Sequence, residues 1–119
     1  MAVTERVPDI GDIRSAADRL RGIANRTPLL ESERLNERLG ARILLKCEMF
    51  QPVGAFKIRG AWNLMSRLSE AERASGAVAF SSGNHAQAVA WAGRRLGIST
   101  TIIMPMDAPR IKIANTRAL

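Results

Sequence analysis

The first third of the chain places apolar residues at the spacing of an α-helix. After Asp9 they recur every three or four positions, which predicts a helix with one buried stripe; these residues are Ile13, Ala16, Ala17, Leu20, Ile23 and Ala24. This helix is expected to end before Thr27-Pro28, because a residue that precedes proline avoids the helical region. A short second helix is predicted at Glu33 to Leu39, with Gly40 in the left-handed conformation that ends it.

The middle of the chain predicts a strand, a loop and another helix. The apolar run from Ala41 to Cys47 indicates a buried strand. Proline and glycine interrupt regular structure between Phe50 and Gly54, and a helical pattern resumes at Phe56. Its apolar positions are Ala61, Leu64, Met65 and Leu68. Ser69 and Glu72 then have the spacing of a capping box, in which each residue bonds the backbone of the other.

A further strand, helix, strand cycle follows. It consists of a strand at Gly76–Phe80, a turn at Ser81–His85, a helix from Ala86 to Leu96 ended by Gly97, and a strand at Ile98–Pro105. The alternation predicts parallel strands with helices on the faces of the sheet. Pro109 is placed to open another helix, and Ile111, Ala114 and Ala118 keep its period up to Leu119. Since no terminating residue follows, we expect the sequence to be part of a longer protein.

Composition and charge narrow the class of protein. With 119 residues, of which 46% are hydrophobic, the chain has room for one ordinary folded domain. Eighteen basic and eleven acidic residues give a formal charge of +7, but both signs are interspersed along the sequence. A mixed, solvated surface is therefore favoured over a nucleic-acid interface. Tyrosine is absent, and three phenylalanines with two tryptophans are few for a base-stacking platform.

Cysteine and histidine are too scarce for disulfides or metal clusters. Cys47 is the single cysteine, which excludes an internal disulfide, and its place at the end of an apolar run indicates a buried, inert thiol. One histidine cannot form a metal cluster with scattered carboxylates, so no metal is expected. Met1 to Gly11 lacks the apolar core of a secretion signal, and no apolar run approaches the roughly 18 residues of a membrane span. We therefore expect a cytoplasmic protein without a membrane partner.

Lys57 is the first candidate for chemistry, because it lies where a loop enters a helix. A lysine in the first helical turn meets backbone amides that already present positive charge, which favours the neutral amine. Partial burial beside Phe56 would act in the same direction, and a neutral amine is what a Schiff base with an aldehyde cofactor requires. The alternative is an exposed lysine whose stem lies along the surface. From the spacing alone, that alternative is the stronger one.

The turn at Ser81–His85 is the second candidate. Ligands collect at the carboxyl ends of parallel strands, where the free amides of the next helix attract a carboxylate or phosphate. Two hydroxyls, a glycine that lets the backbone approach closely and an amide side chain could wrap a small anion. The alternative is a turn that only caps the helix. His85 shares a helical stripe with Val89, Ala92 and Leu96, which favours a packed or orienting histidine over a proton-transfer group.

Together, the segments Glu48–Ala61 and Ser81–Gln87 resemble those of the serine/threonine dehydratases, which are fold-type II pyridoxal phosphate enzymes. The resemblance continues through Arg26–Leu30, Leu35–Gly40, Leu45–Glu48 and Met104–Pro109, so it covers the chain from about Asp9 onward. It implies an α/β fold, with the parallel open (Rossmann-like) three-layer sheet of the tryptophan synthase β-like class, incomplete at the carboxyl end. Residues 1–75, approximately, would begin the larger domain and residues 76–119 the smaller one.

The resemblance also implies roles for individual residues and the cofactor pyridoxal 5'-phosphate. Lys57 would form the Schiff base with the cofactor and, once freed, act as base, and Phe56 would lie against the cofactor ring. Asn84 would contact the ring hydroxyl. Ser82 stands where serine racemases carry the acid/base residue on the face opposite the lysine. The substrate carboxylate would be cradled by Ser81, Ser82, Gly83, Asn84 and His85. This reverses the preference stated above for a surface role of Lys57.

The implied activity is conversion of L-threonine or L-serine to a 2-oxo acid and ammonia, by a full-length enzyme expected to be a homo-oligomer. A serine racemase or hydroxyaspartate ammonia-lyase is the nearest alternative, and a β-replacement enzyme such as cysteine synthase is more distant. A non-catalytic truncated domain is the alternative from another class, because the family's phosphate loop and its partner for the pyridine nitrogen would lie beyond Leu119. Pro52, Val53 and Ala55 depart from the usual family residues, which puts side-chain hydrogen bonds from positions 53 and 55 in doubt.

Overall fold

The computed structural model describes residues 6–119; residues 1–5, part of the segment where no secretion signal is expected, lie outside the described residues. The elements in chain order are α1 (Ile10–Arg19), β1 (Leu29–Glu31), α2 (Glu33–Leu39), β2 (Leu44–Lys46), α3 (Lys57–Met65), α4 (Glu70–Ser75), β3 (Ala77–Phe80), α5 (Asn84–Leu96), β4 (Thr100–Ile103) and α6 (Arg110–Arg117). Two short 3-10 turns, Glu48–Phe50 and Pro52–Gly54, connect β2 to α3.

Helix α1 begins as the sequence predicts but ends early. Asp9 and Asp12 form a reciprocal capping box at its start. Its carboxyl end is at Arg19, whereas the apolar pattern extends to Ala24. The chain turns there because Gly22 adopts a positive φ of 74°, which a continuing helix does not allow. The predicted length was therefore wrong, although Ile23 and Ala24 still lie half-buried.

Strands β1 and β2 form an antiparallel two-stranded ribbon, with Leu30 opposite Leu45. The predicted buried strand at Ala41–Cys47 was wrong in length and in burial, since only residues 44–46 are extended and all three are exposed. A two-stranded ribbon cannot cover both of its own faces, and this explains the exposure. Cys47 itself is buried, as predicted. Strand β1 was not predicted, because three residues are too few to show a period.

The predictions for α2 and α4 are confirmed. Helix α2 is capped by Ser32 and ends at Gly40 with a φ of 62°. Ser69 and Glu72 form the predicted capping box at α4: the Ser69 amide donates to Glu72 Oε2 at 2.8 Å, and the Glu72 amide donates to Ser69 Oγ at 3.4 Å. These local signals depend on residues three positions apart, so the sequence alone could determine them.

Strands β3 and β4 are parallel, from Ala77 opposite Thr100 to Phe80 opposite Ile103, and α5 crosses between them. This confirms the predicted strand, helix, strand unit, although both strands are shorter than predicted. Helix α5 begins at Asn84, two residues earlier than predicted, and ends at Gly97 with a φ of 67°. Asn84 and His85 therefore belong to the first helical turn, and the turn itself is reduced to three residues, 81–83.

The core lies between α3 and α5 and is extended by Ile98, two residues before β4. Its buried members are Ile58, Ala61, Met65, Ala88, Val89, Ala92 and Ile98. Alanines on α5 allow α3 to approach closely, and the rings of Trp62 and Trp91 flank the core with centroids 5.9 Å apart. Leu64, expected on the apolar stripe of α3, is instead exposed. This core joins residues on both sides of position 75, and the division into two domains there stays a prediction.

One face of the β3–β4 pair is open. Val78 and Phe80 are 71% and 70% exposed, and Ile103 on β4 is also exposed, because alternate side chains of these strands point away from α5.

Within residues 6–119, no helix combines the length and the apolar character that crossing a membrane requires.

Candidate functional site

Lys57 is the first residue of α3, and its amine is accessible. Its side chain is exposed, and so is that of Phe56, whose ring centroid lies 4.9 Å from Lys57 Nζ. The expected partial burial of Lys57 beside Phe56 is therefore wrong for this chain. The aromatic ring faces the amine without enclosing it. Both groups are available to a ligand that approaches the start of α3.

An ion pair fixes the loop that leads into Lys57. Glu48, at the start of the loop, accepts from Arg59 Nε at 2.8 Å and from a second Arg59 nitrogen at 2.9 Å. Thr27 Oγ1 donates to the same carboxylate at 2.6 Å. The Arg59 guanidinium lowers the pKa of Glu48 from 4.5 to about 2, assisted by the Thr27 bond, and Glu48 in turn raises the pKa of Arg59. Because Arg59 lies on α3, this pair ties the two ends of the loop together.

Gln51 and Asn25 add a second set of contacts to the loop. The amide of buried Gln51 donates to Asn25 O at 2.8 Å, and Gln51 Oε1 accepts from Asn25 N at 2.9 Å. Asn25 Nδ2 donates to Phe50 O at 2.7 Å. Sequence reasoning missed these residues, which are 26 positions apart. The available signal was a pair of amide side chains flanking predicted breaks in structure, and that signal does not identify partners.

The backbone of the loop is strained at Val53. With a φ of 58°, Val53 is the sole non-glycine residue in the left-handed region among residues 6–119, and Gly54 follows with a φ of 68°. A β-branched residue there costs on the order of 1–3 kcal/mol. Val53 packs against the α3–α5 core, which offsets part of that cost. The strained turn directs the chain into α3 and so determines where Lys57 begins the helix.

The turn after β3 presents unpaired backbone donors. Ser81 N donates to Ile103 O at 3.1 Å, and Gly83 N donates to Ser81 Oγ at 3.2 Å. Within the described part of the chain, the amides of residues 82, 84, 85 and 86 find no acceptor. Free amides at the start of a long helix bind anions. The turn therefore has the donors that the sequence predicts for a carboxylate.

The side chains of this turn differ in exposure. Ser82, Asn84 and His85 are exposed, whereas Ser81 and Gly83 are half-buried. His85 was expected to be a packed or orienting histidine on one stripe with Val89, Ala92 and Leu96. It is exposed, so the packed histidine is wrong for this chain, and the orienting role stays a prediction. Val89 and Ala92 on the same face of α5 are buried in the core, so His85 is exposed because it lies in the first turn of the helix, before the part that packs against α3.

The loop before Lys57 meets the start of α5. Pro52 and Val53 border a cavity of about 380 Å³ together with Gln87 and Trp91 of α5. Gln87 is three residues after the beginning of α5, and Val53 is four residues before Lys57. The start of α3 and the start of α5 therefore lie toward the same end of the helix pair. An accessible amine, an aromatic ring and free amides fit an aldehyde cofactor and a carboxylate substrate.

Residues 20–119 match the family of pyridoxal-phosphate dependent enzymes. The chain belongs to this family. It is 53% identical to L-threo-3-hydroxyaspartate ammonia-lyase of Saccharomyces cerevisiae over 110 residues. This alignment covers 92% of this chain and 34% of the relative. It is 50% identical to L-threonine ammonia-lyase of Thermotoga maritima over 108 residues, an alignment that covers 91% of this chain and 27% of the relative.

A solved structure supports the same assignment. Maize serine racemase superposes with a TM-score of 0.89 at 41% identity, over 95% of this chain and 34% of that structure. The family and the predicted α/β fold of the fold-type II class are thereby confirmed, and pyridoxal 5'-phosphate is the cofactor of the family. The chain spans about a third of the length of the relatives it matches. In the described residues, no group of three or more potential metal ligands lies together.

Proposed function

We propose that the protein carrying this chain is a pyridoxal phosphate-dependent ammonia-lyase that converts L-threonine or L-serine to a 2-oxo acid and ammonia. The observation that carries the proposal is that the start of α3, which carries Lys57, and the free amides of residues 82, 84, 85 and 86 lie toward the same end of the α3–α5 pair. Similarity to ammonia-lyases supports the reaction class. We also propose that the complete protein is a cytoplasmic homo-oligomer without nucleic-acid or membrane partners.

The roles proposed for this chain divide between its two helix starts. Lys57 would hold the cofactor through its amine, Phe56 would lie against the cofactor ring, and Asn84 would contact the ring hydroxyl. When bound, pyridoxal phosphate supplies a conjugated ring that withdraws electrons from the substrate Cα. The amine of Lys57, when it is free, would be the base that takes the Cα proton. With the β-hydroxyl lost as water and one water consumed in hydrolysis, the products would be a 2-oxo acid and ammonia.

The turn would control which bond breaks. The amides of residues 82, 84, 85 and 86 would hold the substrate carboxylate, together with the polar side chains of Ser81–His85. A fixed carboxylate decides which bond of Cα stands perpendicular to the cofactor ring, and therefore whether a proton or carbon dioxide departs. The Glu48–Arg59 pair and the Gln51–Asn25 contacts serve this reaction by fixing the loop before Lys57.

Two related activities are second candidates. Ser82 is exposed and forms no side-chain hydrogen bond within residues 6–119, so its hydroxyl is available as an acid/base on the face opposite Lys57. That arrangement, with the likeness to maize serine racemase, favours a racemase. Identity of 53% to a hydroxyaspartate ammonia-lyase favours a substrate with a second carboxylate. All of these substrates are β-hydroxy amino acids, so the candidates differ in the β-substituent and in the fate of the Cα proton.

Product assays on the complete protein loaded with pyridoxal phosphate separate the candidates. Formation of 2-oxobutanoate from L-threonine or pyruvate from L-serine supports the proposal, D-serine supports a racemase, and oxaloacetate from hydroxyaspartate supports the third activity. Lys57→Ala is expected to lower turnover by at least about 10²–10⁴-fold. Ser82→Ala is the matched comparison, because it should abolish racemisation and retain elimination. Absence of all four products would support the non-catalytic alternative.

A further inference from the structure

Lys112 lies beside the Ser81–His85 turn, although nothing in its sequence context pointed there. It is the third residue of α6 and is half-buried. A Cβ atom built on Gly83 would lie 3.3 Å from Lys112 Nζ, so the ammonium group occupies the space that a side chain at position 83 would enter. The absence of a side chain at Gly83 therefore leaves room for the amine of Lys112 against the backbone of the turn.

The backbone of α6 holds Lys112 in place. Lys112 N donates to Pro109 O at 2.9 Å, and Thr116 Oγ1, on a buried residue, donates to Lys112 O at 2.8 Å. In contrast, the ammonium group forms neither a hydrogen bond nor an ion pair with any residue in the described range 6–119. Helix α6 packs against α5, which keeps the lysine stem directed toward the turn.

The electrostatics of this arrangement are unfavourable without an anion. The free amides of residues 82, 84, 85 and 86 already present partial positive charge at the start of α5. A lysine ammonium placed beside them adds a full positive charge that no carboxylate within residues 6–119 pairs with. A bound carboxylate would relieve both, because it can accept from the amides and attract the ammonium group.

We propose that Lys112 is a substrate-binding residue, whose ammonium group strengthens the hold of the turn on the substrate carboxylate. This inference rests on the proposed function of the turn and extends it by one residue from a different helix. The ligand chemistry is that of an amino-acid carboxylate. Because the contribution is electrostatic, an arginine at position 112 should preserve much of it, whereas a neutral side chain of similar length should not.

The test uses the complete enzyme with pyridoxal phosphate and compares Lys112→Met with Lys112→Arg. Arg110→Gln is the matched control, because it removes a positive charge from an exposed position of the same helix. Lys112→Met is expected to raise KM for the amino-acid substrate about 3- to 10-fold, the effect of a partly exposed charge contact. The value of kcat should stay within about twofold, since the contact is the same before and during the reaction.

A non-reacting probe measures the same contact without catalysis. The inhibition constant of acetate should rise about 3- to 10-fold in Lys112→Met, whereas that of the uncharged analogue acetamide should not change. Lys112→Gln serves as a second neutral variant if methionine disturbs folding. Unchanged KM and acetate inhibition in both neutral variants would overturn the inference while leaving the proposed function standing. A wild-type enzyme without cofactor attachment or turnover would overturn the proposed function, and this inference with it.

Discussion

The loop that leads into Lys57 and the β3–α5–β4 unit that carries the Ser81–His85 turn are held by different forces. Residues 25–59 depend on polar side chains, chiefly the Glu48–Arg59 pair and the Gln51–Asn25 contacts. Their strands β1 and β2 are exposed and antiparallel. The second region is held by the packing of the alanine-rich helix α5. Seven of the eight residues from Ala86 to Gly93 are buried.

Because the forces differ, the free amides at the start of α5 and the side chain of Lys57 are positioned in different ways. Apolar packing places α5 rigidly on the β3–β4 pair, so the free amides at its start have a fixed direction. The loop before Lys57 has no comparable apolar anchor, apart from Val53 and Ala55, and polar contacts with defined geometry determine its path. The position of the turn proposed to bind the substrate thus follows from a packed unit, whereas the position of Lys57 depends on a specific set of polar side chains.

The largest expected effect tests the packed region. In Gly93→Ala, the new methyl group would clash with the Thr100 side chain and lie 2.9 Å from the Ile98 carbonyl oxygen. We expect the free energy of unfolding to fall by about 2–4 kcal/mol, because neither α5 nor the start of β4 can move easily. Chemical denaturation followed by circular dichroism measures the change.

Gly60→Ala is the matched control for that substitution. A Cβ at Gly60, on α3, has no heavy atom within 4 Å. Alanine there should raise the free energy of unfolding by about 0.5–1 kcal/mol, because it favours the helix. Equal effects of the two substitutions would contradict the distinction between tightly packed α5 and the exposed face of α3.

A smaller effect on the free energy of unfolding is expected when the Glu48–Arg59 pair in the loop before Lys57 is removed. Glu48→Gln leaves Arg59, which is 35% exposed, without its carboxylate. We expect a loss of about 1–3 kcal/mol in the free energy of unfolding, less than for a fully buried pair because water can reach Arg59. The exposed pair Glu31–Arg42 is the control, and Glu31→Gln should have a clearly smaller effect. Similar losses in both variants would mean that the Glu48 network does not hold the loop.

The pH dependence of stability tests the Glu48–Arg59 pair without a change of sequence. The pKa of Glu48 is lowered from 4.5 to about 2 by Arg59, so the carboxylate stabilises the fold fully above pH 4.5. That stabilisation should be lost progressively as the pH falls from about 4.5 to about 2, because the unfolded chain binds the proton first. The pH dependence of unfolding should be shallower in Glu48→Gln than in the wild type. Identical slopes would show that the ion pair contributes nothing to stability.

Local signals allowed much of the fold to be predicted from the sequence. The Ser69–Glu72 capping box and the left-handed Gly97 depend on neighbouring residues, and the β3–α5–β4 order follows from alternating patterns. The contact between Asn25 and Gln51 could not be predicted, since polar pairs distant in sequence leave no periodic trace. The partial burial considered for Lys57 was wrong, because burial depends on what packs over a helix start and not on the helix itself.

Reductive trapping of the cofactor shows directly which lysine forms the Schiff base. The complete protein is incubated with pyridoxal phosphate, treated with borohydride and digested, and the modified peptide is identified by mass spectrometry. We expect one reduced adduct on Lys57, and its loss in Lys57→Ala. An adduct that persists in Lys57→Ala, or that maps to another lysine in the wild type, would show that Lys57 does not hold the cofactor.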